Sequence, residues 1–312
     1  MPERSLPARR DSPPPRRLPA PLIRALLHLE GESAEADLPP PTLHHLGRLA
    51  GWSGPHLQRQ FHARLGLSPA RYAQLLRLRR AGLQLAFRPG LSVLTIALEA
   101  GYATPEAFAR AFRRLSGQSP RQFRRHPAWA RWQAACAPLT QIRSLHLTLP
   151  DTMPEIEIRN VPAIPLILRA HRGPVAGLGA TLRDFIDWRR AEGLCPAQHA
   201  TYNIFHTPPD VTPPEAFHLD LCLAHPPARF GAEYLAVHPQ LRRASLPAGR
   251  VAVLTVQGDD SALGPGFDRL FRDWLPSSGE TLRAHPPYAR RLRFYPDLPA
   301  SAALTELYLP LE

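Results

Sequence analysis

No lysine occurs in the 312 residues; every one of the 38 basic side chains is an arginine. That absence reads as a GC-rich coding bias rather than as chemistry. Cysteine is scarce as well: Cys136, Cys195 and Cys222 stand far apart and form no C-x-x-C pair. The pattern argues against a zinc ribbon, an iron–sulfur site or a disulfide scaffold. It fits a reducing cytoplasm, with the thiols expected as small buried or half-buried residues. No apolar run approaches the roughly 20 residues that a bilayer span requires, so no membrane association is expected. The N-terminal MPERSLPARRDSPPPRR lacks the apolar stretch of a secretory signal. There is no G-x-S-x-G, no P-loop and no evident metal-ligand constellation, so no enzyme, cofactor or metal is expected.

What is present is charge of one sign, unevenly placed. Residues 1–127 hold 20 Arg against 8 Asp and Glu, an excess of 12, whereas residues 128–312 hold 18 of each. At roughly 100–200 residues per domain the length suits two domains. The charge split suggests a basic polyanion binder joined to a neutral partner. Residues 1–19, rich in Pro and Arg, read as a disordered arm.

Residues 20–127 contain an internal repeat. Gly51-Trp52 recurs as Gly101-Tyr102 after 50 residues. Phe61, Gly66, Ser68, Pro69 and Tyr72 recur as Phe112, Gly117, Ser119, Pro120 and Phe123 after 51. Each copy reads as helix, tight glycine turn, second helix. In the first, Leu46, Leu49 and Ala50 are expected inside, then Leu57, Phe61 and Leu65 after an N-cap at Ser53. In the second, Val93, Ile96, Ala97 and Ala100 precede a cap at Thr104 and the stripe Phe108, Phe112 and Leu115. A longer helix over 70–87 joins the two copies. These are two helix-turn-helix units on a rigid spacer.

In such a unit the second helix enters the major groove of double-stranded DNA. Its polar face offers His56, Gln58, Arg59 and Gln60 in the first copy, and Glu106, Arg110, Arg113 and Arg114 in the second. Arginine can bond guanine twice and glutamine can pair with adenine. The helix starts at Ser53 and Thr104, together with Arg124, are candidate phosphate contacts. Two reading helices in one chain predict one asymmetric site bound by a monomer or weak dimer.

HLQRQF at 56–61, GLSPARY at 66–72 and GYATPEAFARAFRRLSGQSPRQFR at 101–124 resemble the AraC/XylS family of transcription regulators. The resemblance covers about Leu22 to Arg125. It implies seven helices, two of them set in successive major grooves, with RNA polymerase as a further candidate partner. It also implies base-facing positions at Pro55, Gln58 and Arg59, and at Pro105, Glu106, Ala107, Ala109 and Arg110.

Residues 128–150 read as a connector, with Trp129, Trp132, Ile142, Leu145, Leu147 and Leu149 suggesting some packing. Residues 151–312 repeat themselves as well. Val161-Pro162-Ala163 returns as Leu246-Pro247-Ala248 after 85 residues, and Phe185, Asp187, Trp188 and Gly193 return as Phe271, Asp273, Trp274 and Gly279 after 86. Each copy gives a strand (164–170; 250–256), a glycine turn, an amphipathic helix (176–192; 265–275) and a later strand (219–224; 305–309). That is an α+β domain of two similar halves, whose seam is a natural place for a small-molecule cleft.

IFHTPPDVTPPEAFHLDLCL, LPAGRVAVLTVQG, FRDWLPSSGETL and TELYLPL resemble the GyrI-like effector-binding domain found behind Rob-type regulators. The resemblance implies a cleft for hydrophobic, often cationic, effectors between the halves. Trp188, Tyr202, Trp274, Tyr288, Phe294 and Tyr308 are the candidate aromatic lining. Ala289 stands where that family usually carries a glutamate, and Arg290, Arg291 and Arg293 lie close by, so a neutral or anionic ligand enters consideration. Two other readings remain open: a regulator whose second domain binds a protein, and a small-molecule-binding or hydrolysing protein with an accessory DNA module.

Overall fold

A computed structural model describes residues 18–32, 41–146, 155–209, 212–225 and 229–312. The arm expected over 1–19 lies, except for its last two residues, outside the described residues. Leu147 and Leu149 of the connector lie outside them too.

The front of the chain is helical: α1 (Ala20–Glu32), α2 (Leu43–Ala50), α3 (Gly54–Leu65), α4 (Pro69–Phe87), α5 (Val93–Glu99), α6 (Pro105–Ser116), α7 (Pro120–Arg125) and α8 (Trp129–His146). Local signals set these boundaries. Thr42, Ser53, Ser68, Ser92, Thr104 and Ser119 each accept a hydrogen bond from the backbone N–H three residues on. A proline sits in the first turn of α3, α4, α6 and α7, where its missing N–H costs nothing. Gly51 (φ 70°) and Gly101 (φ 75°) turn the chain between paired helices in a backbone region that a side chain opposes.

Two apolar cores result. The first gathers Leu22, Leu26, Leu46, Leu57, Phe61, Tyr72 and Leu75, and the second Leu78, Leu85, Ile96, Phe108, Phe112 and Phe123. α4 serves both cores, which makes it a rigid spacer. Leu49 departs from expectation and is 41% exposed. The face that packs runs through Leu43, Leu46 and Ala50, and Leu49 falls beside it.

The segment read as a connector is the helix α8, which packs along both cores. Trp132 and Cys136 join the second, Leu139 and Ile142 the first, and Leu145 remains exposed. Burial pushes the Cys136 thiol up to about 11. Cys222 is buried too, whereas Cys195 is exposed, contrary to expectation, because it lies in the loop after the next helix. Trp132 lies flat on Gly82, where an added Cβ would fall 2.2 Å from its ring. Gly82→Ala is therefore expected to cost about 1–3 kcal/mol through overpacking, read as a lowered urea midpoint.

The remaining elements are β1 (Glu157–Val161), β2 (Ile164–Arg172), α9 (Leu178–Ala191), β3 (Thr201–Phe205), β4 (His218–Ala224), α10 (Ala232–Val237), β5 (Arg242–Leu246), β6 (Gly249–Gln257), α11 (Leu263–Asp268), α12 (Leu275–Ser278), β7 (Tyr288–Arg293) and β8 (Leu304–Pro310). A π-helical stretch, Arg269–Trp274, joins α11 to α12. The strands form one antiparallel sheet in the order β1-β6-β8-β7-β3-β4-β2-β5.

This order forces the sheet to curl. Only Pro247 and Ala248 separate β5 from β6, a reach of about 11 Å. In a flat sheet six spacings would hold those strands about 29 Å apart. Pro162 and Ala163 impose the same closure between β1 and β2. Each repeat therefore gives its first strand to the other: β1 pairs with β6, and β5 with β2. α9 and α11 cover the outer face through Phe185, Trp188, Leu219 and Leu221 in one half, and Leu254, Leu263, Leu270 and Leu307 in the other. The inner face carries a separate cluster.

Candidate DNA-reading face and effector chamber

α3 and α6 hold equivalent places in the two helix-turn-helix units. Each buries its aromatic stripe, so the remaining positions face outward. Gln58, Arg59, Glu106, Arg110 and Arg113 are exposed. No hydrogen bond or ion pair within the described residues engages their side chains. His56 is half-buried, its ring 4.9 Å edge-on to Trp52. Ser53 and Thr104 occupy the helix starts, their hydroxyls accepting from His56 N and Ala107 N. Gln60 is engaged within its own helix, accepting from Arg64 Nε at 3.0 Å.

Arg124 sits differently. Its guanidinium donates to Leu91 O at 2.6 Å and Pro89 O at 3.5 Å, tying down the loop between α4 and α5. The arginines on α7 that are exposed are Arg121 and Arg125.

On the inner face of the sheet, register brings three tyrosines together. Across β3–β7, Tyr202 lies opposite Arg290 and Ile204 opposite Tyr288; across β7–β8, Tyr288 lies opposite Tyr308. The rings of Tyr288 and Tyr308 stack at 4.7 Å, and Tyr202 lies 6.3 Å from Tyr288. Burial pushes all three phenols above their ordinary value, with Glu306 adding to the effect. Glu306 accepts from Tyr308 OH at 2.7 Å and from Arg159 Nη1 at 2.8 Å, with Arg290 at 4.0 Å. The Tyr288 hydroxyl is buried with no hydrogen-bond partner among the described residues.

The other expected lining residues lie elsewhere. Trp188 belongs to the buried stripe of α9 on the outer face, donating from Nε1 to Tyr234 OH at 2.8 Å. Trp274 packs on the outer cluster under α11. Both sit on amphipathic helices whose apolar sides point at the back of the sheet, away from the tyrosines. Phe294 follows β7 half-buried and does not join the tyrosine cluster. Ala289 is fully buried on the outer face with Leu254 and Leu307. A carboxylate at that position would face away from the tyrosines, and Glu306 is the carboxylate that faces them.

The sequence reading missed two further groups. One is a polar seam joining the modules. Asp259, in the loop after β6, pairs with Arg79 of α4 and, at 2.6 Å, with Arg143 of α8. Arg143 reaches Glu30 at 3.6 Å, and Glu30 accepts from Tyr72 OH. Glu30, Arg79, Arg80, Arg143, Asp259 and Tyr295 line a cavity of about 20 Å³ there. On the other flank Arg183 of α9 donates to the carbonyls of Ala86, Arg124 and Arg125, and Arg190 to that of Phe87. Both collect the open carbonyls at the ends of α4 and α7.

The second missed group is a cluster of two histidines and a carboxylate. His206, His218 and Asp220 converge at one end of the inner face. Their histidines lie 12 residues apart, so only strand register reveals the group.

Comparison with known proteins matches residues 154–312 to the GyrI-like small molecule binding domain and residues 46–126 to a helix-turn-helix domain. The probable transcriptional regulator YgiV of Escherichia coli strain K12 is 28% identical over 162 residues, which is 50% of this chain and 96% of that protein. An uncharacterized HTH-type transcriptional regulator of Staphylococcus aureus is 31% identical over 83 residues, 27% of this chain and 11% of that protein. Among solved structures, the EcmrR–DNA complex in EcmrR-RPo aligns over 83% of this chain and 84% of its own, with a TM-score of 0.42 and 12% identity. An AraC-type regulator from Chromobacterium violaceum aligns over 35% of this chain and 92% of its own, with a TM-score of 0.31 and 27% identity.

Proposed function

The chain belongs to the GyrI-like small molecule binding domain family, with a helix-turn-helix domain ahead of that unit, and on that premise we propose a transcription regulator that reads DNA through α3 and α6 and responds to a small aromatic effector. The observation that carries the first half is the pair of equivalent, solvent-facing helix surfaces whose Gln58, Arg59, Arg110 and Arg113 have no partner within the described protein. Such groups are free to bond base edges and phosphates. α4 and α8 hold the two units in fixed relation, so one chain would meet two successive grooves about 34 Å apart.

For the effector, the tyrosine cluster on the curled inner face supplies flat apolar surface, and the Tyr288 hydroxyl supplies an unsatisfied donor. Arg159 is shared between Glu157 and Glu306, so Arg159 and Arg290 are matched by two glutamates. That balance favours neutral planar compounds over ions of either sign. The polar seam supports a route for the response, because Asp259 follows β6, whose Val251 and Val253 belong to the inner cluster, and grips the spacer helix itself. A ligand shifts DNA affinity only if the two states differ in ligand affinity.

Selection of duplexes from a random library, with and without a compound panel, tests both halves together. Enrichment of one asymmetric sequence is expected; equal retention of all duplexes at moderate ionic strength would overturn the reading. In parallel, thermal-shift screening should find aromatic compounds whose stabilisation grows with concentration. Tyr288→Phe is expected to weaken such a ligand about 2- to 10-fold, as one hydrogen bond is lost.

A further inference from the structure

We infer that His206, His218 and Asp220 form a binding site for a divalent transition metal of the zinc class, at the rim of the inner face of the sheet. The three side chains are brought together by backbone pairing. Asp220 lies two residues beyond His218 on β4, so both point to one face. His206 directly follows β3, and its N–H donates to His218 O at 3.3 Å, which sets the two histidines side by side. Thr207 fixes the other end of the pair by accepting from the His218 N–H at 2.8 Å.

Three ligand atoms, one from each residue, lie within 4.8 Å of one another. His206 Nε2 is 2.7 Å from Asp220 Oδ2, and His218 Nε2 is 3.0 Å from Asp220 Oδ1. The two imidazoles are stacked, 3.8 Å apart with their planes 5° from parallel. An ionised carboxylate only accepts, so each ring carries its hydrogen on Nε2 in this arrangement. Tetrahedral zinc with Zn–N of about 2.0–2.1 Å separates its ligand atoms by about 3.3 Å. For an ion to enter, the carboxylate would draw back and the two stacked rings would splay until both Nε2 atoms aim at one point. Each imidazole would then offer Nε2 as the ligand atom and carry its hydrogen on Nδ1.

Exposure suits entry of an ion. The His206 side chain is 30% exposed, while Asp220 is 8% exposed and held in the sheet. Two imidazoles and one carboxylate leave a fourth position open, the arrangement of a zinc site that binds an exogenous ligand rather than a closed structural one. By alternation the site faces the same side as Ile204, Cys222 and Tyr202, all members of the inner cluster. An ion there would therefore sit on the same face as the tyrosine cluster.

The test uses untagged full-length protein stripped with EDTA, titrated with Zn²⁺ and, as a spectroscopic probe, Co²⁺. One equivalent of zinc per chain should survive gel filtration, and Co²⁺ should give visible ligand-field absorption of a low-coordinate nitrogen–oxygen site. His206→Gln, His218→Gln and Asp220→Asn should each lose at least about tenfold in affinity, while Gln replacement of the distant His238 should change nothing. No retained zinc in the wild-type protein, or equal retention by all three site variants, would overturn the assignment. If a variant fails to fold, X-ray absorption on the zinc-loaded wild-type protein decides: two imidazoles per zinc sustain the site, and any other count removes it.

Discussion

Asp259→Ala is expected to destabilise the folded chain by about 3–5 kcal/mol, the usual cost of removing one partner from a buried ion pair. The Asp259 side chain is fully buried, and Arg143 is only 3% exposed. Their contacts cross from the loop after β6 to α4 and α8, so the substitution strands two guanidinium groups at the seam between modules. Glu30, at 3.6 Å, would remain beside Arg143 as partial compensation. Urea unfolding, monitored separately through helical circular dichroism and tryptophan fluorescence, should lose its coincidence as the modules part. Coincident curves at the wild-type midpoint would show that the seam contributes nothing.

The same carboxylate gives a pH signature. Burial by itself would raise its pKa; Arg79 and Arg143, helped by Ser261, outweigh that and hold it well below the ordinary carboxylate range. A depressed folded value means stability that is fully present above the unfolded pKa of about 3.9 and lost as pH falls below it. The wild-type chain should thus weaken between about pH 4 and 2 more steeply than Asp259→Ala, and the two stabilities should converge in acid.

The second large effect is expected at the DNA face. Arg59→Ala and Arg110→Ala should each cost about 1–3 kcal/mol against the selected duplex and relax preference at one base pair. The helices do not share partners, so the double variant should lose roughly the sum, about 2–6 kcal/mol. Fluorescence anisotropy at fixed salt, against selected and scrambled duplexes, reads the difference. Scrambled DNA should be affected much less, and unchanged affinity for both would remove α3 and α6 as readers. Arg124→Ala supplies the contrast. Since its guanidinium holds the Leu91 and Pro89 carbonyls, the melting temperature should fall, with any loss of DNA affinity shared by all sequences.

The helical module was readable because its signals are local. Caps such as Ser53 and Thr104, first-turn prolines and turn glycines act within four residues. The connector read over 128–150 contains the helix α8, in which Trp132, Cys136, Leu139 and Ile142 follow helical spacing, with Pro138 inside it, where proline ordinarily weakens the helical signal. In the sheet, the strands rich in branched residues, β2 and β6, and the alternating β4 and β8 were legible. β1, β5 and β7 were not, because arginines and glutamates interrupt their pattern and their partners are distant.

The candidate site divides along the same line. Outward positions on α3 and α6 follow from helical periodicity alone. The tyrosines follow from an aromatic count, which cannot separate Tyr288 from Trp188, since only register says which face a side chain takes. Asp259 reads as one more acidic residue after a glycine until the fold sets it against Arg79, 180 positions away.

The exchange of first strands between the repeats has an outcome for synthesis. Neither copy can be cut out and expected to close, since each would lack an edge strand that the other carries, however similar the two look. On the ribosome, chain emerges N-terminus first, so the locally encoded helices can pack early while the sheet waits for β8. The grip of Asp259 on the spacer would then be acquired late, and a stalled or truncated product would present a DNA-reading unit without its restraint.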